Sequence, residues 1–140
     1  MHLLFYRLRP DVRAVCHAHP PIATGFAVAG SALNEAILPE VDVALPEIPL
    51  APYGAPGTGE LCQSLEPFVA GYDAVLLQNH GVVTCGQDLA TAYQRLETVE
   101  QFARILLAAH SLGQPRALSG ANLLKLIATK QLYGASRRAD

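Results

Sequence analysis

Residues 73–86, DAVLLQNHGVVTCG, carry an apolar run into the polar trio Gln78, Asn79 and His80, and out again through Val82 and Val83. A short apolar run broken by Asn and Gly has the pattern of a buried strand with its hairpin partner. The next segment changes period. Asp88 can cap a helix in which Leu89, Ala92, Tyr93, Leu96, Val99, Ala103, Leu106 and Leu107 recur at threes and fours, with Glu100 and Arg104 as an outward i,i+4 pair and Gly113 at its end. Strands followed by helices, with no internal repeat, point to a layered α/β domain.

The flanking sequence extends this pattern. HLLFYRLR (2–9) reads as helical turns ended by Pro10, and VRAVCHAH (12–19) as a short strand. PPIATGFAVAGSAL (20–33) opens with prolines at a helix N-terminus before an Ala-rich run. From Leu38 to Gly59 the density of Pro and Gly predicts edge strands and loops rather than a helix. Thr58 can cap a further helix with Glu60 in its first turn and Gly71 beyond its end, and a last helix is expected from Gly120 to Tyr133, before a flexible polar tail at 134–140. The chain, 1–140, is expected to form a single domain.

Composition excludes several classes of function. With 140 residues, 51% of them hydrophobic, and a net charge of -2, the chain can bury a core of its own. The ten Lys and Arg are scattered, so no basic stripe marks a nucleic-acid surface. No stretch approaches the run of about 18 uncharged apolar residues that a membrane span needs, and MHLLFYRLRP lacks the order of a signal peptide. Cys16, Cys62 and Cys85 are odd in number and lack CxxC spacing, which fits a reducing, cytoplasmic location.

Candidate chemistry centres on histidine. A strand repeats every two residues, so a strand running to His19 turns His17 and His19 to one face. His80, at the end of its apolar strand, could join them as a third neutral nitrogen donor to a divalent metal. The alternative is that each imidazole makes ordinary hydrogen bonds in a partly buried place, and spacing alone leaves both readings open.

Three stretches together carry a resemblance: MHLLFYRLRPDVRAVCHAHPPIAT (1–24), LPEIPLAPYGAPGTGEL (45–61) and AVLLQNHGVVTCGQDLATAYQRLETVEQFARI (74–105). They resemble the class II aldolase/adducin family. The resemblance implies a three-layer α/β/α sandwich around a mixed, mainly antiparallel sheet, and Zn²⁺ (or Mn²⁺, Co²⁺ or Fe²⁺) held by His17, His19 and His80. It also implies an aldolase-type lyase cleaving a phosphorylated ketose, fuculose-phosphate-like, through an enediolate, in a homotetramer with active sites at subunit interfaces. Dehydration, decarboxylation and 4-epimerisation are the other reactions of the family.

The chain also departs from the family pattern. The family's N-terminal part, with its phosphate-binding segments and its acidic acid/base residue, has no counterpart in the sequence, so a chain truncated relative to the family is expected and the catalytic residue is unknown. Glu35, Glu40, Glu47 and Glu60 do not stand at that position and are read as surface carboxylates. His2 is not counted among the ligands, and His110 is read as a capping or interface residue. A catalytically silent metal-binding member and an adducin-like interaction module are the competing functions.

Overall fold

The computed structural model describes residues 1–45 and 47–129, and of Glu40, Asp42, Val43 and Ile127 the backbone alone. Along the chain run α1 (His2–Leu8), β1 (Ala14–Ala18), α2 (Pro21–Val28), α3 (Pro39–Ala44), β2 (Leu50–Ala51), α4 (Gly59–Val69), β3 (Ala74–Leu77), β4 (Gly81–Gly86), α5 (Leu89–Leu112) and α6 (Gly120–Ala128). The sheet order is β1-β4-β3-β2. β4 is antiparallel to both neighbours, and β2 alone runs parallel, beside β3. The mixed, mainly antiparallel sheet is thus as expected.

Alternation along the strands builds two cores. Ala74, Leu76 and Val82 face α2, α3 and α5 through Ala23, Ala27, Val41, Val99, Phe102, Ala103 and Leu106. Val75, Leu77, Val83 and Cys85 turn the other way onto Leu4 and Phe5 of α1 and Leu61, Leu65 and Val69 of α4. Both sheet faces are therefore covered, which is the three-layer α/β/α arrangement. Among the described residues no helix is long and apolar enough to cross a membrane.

The expected caps form. Thr58 accepts a hydrogen bond from the Glu60 amide at 3.2 Å, and Asp88 accepts one from Thr91 at 2.6 Å. Two expectations are corrected. The segment from Leu38 to Gly59 does contain a helix, α3, because Pro39 stands at its start, where a missing N–H costs nothing. The apolar stripe of α5 is also displaced: Leu89, Tyr93 and Leu107 are exposed, while Phe102 is buried. At about 100° per residue, the buried arc is turned toward Phe102 and Arg95. This arc packs into the core through Val99, Phe102, Ala103 and Leu106, with Arg95 beside it. The last helix is described to Ala128, and its expected continuation to Tyr133 and the 134–140 tail lie outside the described residues.

Arg95 belongs to an ionic network that the sequence reading missed. Asp73, just before β3, bridges Arg9 at 3.0 Å and Arg95 at 2.8 Å. Arg9, buried behind α1, also grips Asp11 through two hydrogen bonds and donates to the Val69 carbonyl at 3.1 Å. The network ties α1, α4, β3 and α5 together at one end of the sheet. Removing one partner of such a cluster leaves a desolvated charge behind. Because Arg9 keeps Asp11, Asp73→Ala is expected to cost about 3 kcal/mol, the low end for breaking a buried pair. Urea denaturation checks it, and an unchanged midpoint would contradict the structural role.

Candidate metal centre

The opposite end of the sheet gathers the histidines. β1, β2 and β3 all finish there, where β4 begins, with Ala18 opposite Val82 and Leu77 opposite Gly81. Residues 78–80 form the hairpin turn, closed by the His80 amide donating to the Leu77 carbonyl at 3.0 Å. Asn79 takes φ 56, a left-handed conformation that Asn tolerates better than most residues. The turn thereby delivers His80 beside the end of β1.

His17, near the end of β1, and His19, just beyond it, meet His80 there. Ring centroids are 4.9 Å apart for His17 and His19, 4.7 Å for His17 and His80, and 5.2 Å for His19 and His80. One ring nitrogen from each lies within 4.8 Å of the others. His17 Nδ1 is 2.9 Å from the Val82 carbonyl, which only accepts, so Nδ1 carries the proton and Nε2 keeps its lone pair. Among the described residues, His80 Nδ1 is buried with no hydrogen-bond partner. A buried nitrogen left open in this way is suited to a ligand from outside the chain.

Glycine shapes the same cluster. A Cβ on Gly81 would lie 2.5 Å from both the Ala18 carbonyl oxygen and His19 Cδ2. Only a residue without a side chain lets the hairpin pass so close to the His19 ring.

The carboxylates lie elsewhere. Among the described residues the cluster consists of imidazoles alone. Glu35 pairs with His110 at 3.2 Å, Glu47 accepts from the Tyr72 hydroxyl at 3.1 Å, and Glu60 accepts from the Ala55 amide at 3.2 Å. All three are exposed; the side chain of Glu40 lies outside the described residues. His110 stands in the last turn of α5 as expected, but its ring bonds Glu35 instead of a helix carbonyl. His2 is exposed and outside the cluster, though close enough to His17 to act on it electrostatically.

One carboxylate that sequence reasoning misplaced is Glu100. It does pair with Arg104, at 2.9 Å, but its side chain is turned inward and is only 12% exposed. Helical spacing shows the pair and cannot show which neighbour the carboxylate also reaches.

With this geometry established, the comparisons with known proteins decide the family. Residues 1–107 match the model of the Class II Aldolase and Adducin N-terminal domain. The chain belongs to the class II aldolase/adducin family. It is 32% identical over 134 residues to a 5-deoxy-D-ribulose 1-phosphate aldolase of Bacillus thuringiensis serovar kurstaki, covering 96% of this chain and 62% of that protein. It is 35% identical over 109 residues to a 3-oxo-tetronate 4-phosphate decarboxylase of Escherichia coli O6:H1, covering 75% of this chain and 51% of that one. A solved L-fuculose 1-phosphate aldolase superposes with a TM-score of 0.82 at 30% identity, over 92% of this chain and 60% of that chain. The class II aldolase-type chain thus spans between 51% and 62% of the length of these three proteins. Class II aldolases generally depend on a divalent metal, and the three imidazoles form a possible site for one.

Electrostatics favour neutral rings at His17 and His80. Burial lowers the His17 pKa, the hydrogen bond with Val82 opposes this, and the neighbouring His80, His19 and His2 lower it further. Burial, then His19, lowers that of His80. As pH falls below the ordinary value of about 6.5, the unfolded chain takes up these protons before the native one does. The metal-free protein should therefore lose stability from about pH 6.5 downward until the depressed native values are passed, and gain nothing from these groups above it. Denaturant midpoints across that range check this; a His17→Gln, His80→Gln variant with the same pH slope would contradict it.

Proposed function

We propose that the chain is the metal-binding part of an aldolase-type lyase acting on a phosphorylated, fuculose-phosphate-like ketose, with His17, His19 and His80 as ligands of one divalent ion. The observation that carries this reading is the convergence of three imidazoles from two distant segments, one whose Val82 bond leaves its Nε2 lone pair free and one whose buried nitrogen has no partner among the described residues. Neutral nitrogen donors suit Zn²⁺, with Mn²⁺, Co²⁺ and Fe²⁺ as the other candidates. When bound, such an ion supplies Lewis-acid stabilisation of the negative charge that develops on the ketose oxygens as the carbon–carbon bond breaks.

The residues divide the remaining work. Val82 fixes the tautomer and orientation of His17, and Gly81 gives the His19 ring its space. Three uncharged ligands leave an ion its full charge, which a carboxylate ligand would reduce. Proton transfer needs a further group, and Glu35, Glu47 and Glu60 are exposed and engaged in other contacts. No acid/base residue is therefore assigned. Decarboxylation develops the same kind of charge, and the likeness to a decarboxylase keeps it as the second reading. The free thiols of Cys16, Cys62 and Cys85 support a cytoplasmic setting.

Protein purified without chelator should contain a divalent metal, and a His17→Ala, His19→Ala, His80→Ala variant should not. Equal metal content in the two would sink the assignment. The companion assay is aldehyde release from fuculose 1-phosphate and ribulose 1-phosphate, by the chain as given and by a version extended with the N-terminal part of the Bacillus relative. The extended version is expected to be faster by about 10²–10⁴-fold, the usual worth of a positioned proton-transfer group. Metal uptake without turnover in either version would leave a binding protein and contradict the lyase.

We further propose a cyclic homotetramer, supported by apolar side chains left open on α5, where Leu89 is 67% and Tyr93 53% exposed. Light scattering coupled to size exclusion is expected to give four times the chain mass. A monomer at micromolar concentration would contradict it.

A further inference from the structure

The start of α2 poses a hydrogen-bonding problem. Its N-cap is Pro20 and its first residue Pro21, and neither has an N–H or a side chain able to cap. The Thr24 amide already bonds the Pro20 carbonyl at 2.9 Å. Ile22 and Ala23 therefore carry the unsatisfied donors of the first turn. Both are met from another helix: Glu100 of α5 accepts from Ala23 at 2.9 Å and from Ile22 at 3.2 Å. A negative carboxylate is also the charge that a helix N-terminus favours. Glu100 thus caps α2 across the tertiary fold.

His19 lies immediately before this capped turn. Pro20 and Pro21, whose rings fix φ, are all that separates it from Ile22, so a displacement of the first turn is carried stiffly to the imidazole. His17 has a hydrogen bond with Val82 to hold its ring. Among the described residues the exposed His19 ring has no such bond, only the neighbouring rings and Gly81. Its place depends on its backbone.

We propose that Glu100 is a positioning residue of the histidine cluster, holding His19 in register with His17 and His80 by anchoring the first turn of α2 to α5. The inference rests on the metal reading above, and its test separates the two. Co²⁺ affinity is measured by chelator competition, and the cobalt visible spectrum reports ligand geometry. In the metal-free protein, the nuclear Overhauser contact between Gly81 Hα and the His19 ring reports the ring position without any ion.

Glu100→Ala is expected to weaken Co²⁺ binding about five- to tenfold, the affinity equivalent of a lost cap. It should also alter the cobalt spectrum and weaken the Gly81–His19 contact. Glu100→Gln keeps an acceptor oxygen and should recover most of both, so the inference stays testable even where the alanine variant does not fold. Arg104→Ala, which removes only the surface partner, should match the parent. Leu65→Ala, buried in the opposite layer, should lose stability without changing the spectrum. Parental affinity, spectrum and ring contact in the Glu100 variants, or an equal spectral change in Leu65→Ala, would overturn the proposal. A parent protein that takes up no Co²⁺ would overturn the metal reading instead, and the ring contact would still decide the role of Glu100.

Discussion

The register of β4 between β1 and β3 is the constraint on which the site depends. Val82 stands opposite Ala18 on one side and Leu76 on the other. A slip of one residue would turn Val82 and Val83 to the wrong layers and carry the hairpin turn away from the end of β1. Because both faces of this sheet are buried, such a slip would be opposed by both cores at once. The apolar alternation that stabilises the sandwich therefore also sets the distance between the imidazole of His80 and those of His17 and His19. Folding energy and site geometry share one cause here.

The two ends of the sheet are specialised in opposite ways. At the start of β3, Asp73 satisfies two arginines and every charge has a partner of the other sign. At its end, three rings of one kind crowd together and a buried nitrogen is left open. A cluster of imidazoles alone contributes little to stability, since each added proton would repel the others. Such an arrangement is tolerated when the rest of the domain is firmly tied, and the Arg9–Asp73–Arg95 network at the far end supplies that tie. This contrast is a physical reason to look for function at the histidine end.

Most local features were legible in the sequence because their causes are local. The hairpin at 73–86, the caps Thr58 and Asp88, and the nearness of His17 and His19, although β1 ends at Ala18, follow from periods and side-chain types within a few residues. The long helix was also legible, though not its rotation. Its buried arc takes in Phe102 and lies beside Arg95, which reaches Asp73, a partner 22 positions earlier whose role no helical period encodes. The helix α3 was hidden by its proline: Pro39 reads as a breaker unless its place at a helix start is known. Glu100 was legible as a partner of Arg104 and illegible as a cap, since the amides it satisfies lie 77 and 78 residues away.

The position of Glu100 bears on charge as well as on shape. The first turn of a helix carries roughly half a positive charge, an unfavourable neighbour for a cation. α2 begins two residues after His19, so its uncapped N-terminus would set that partial charge beside the imidazole cluster. The carboxylate of Glu100 offsets it on the spot, and Arg104, bonded to the carboxylate from the more open side, is 57% exposed and screened by solvent. A cation held by the cluster would then meet uncharged rings and a neutralised helix end rather than a repulsive field. One inward-turned side chain thus reconciles a helix start made of two prolines with a site made only of imidazoles.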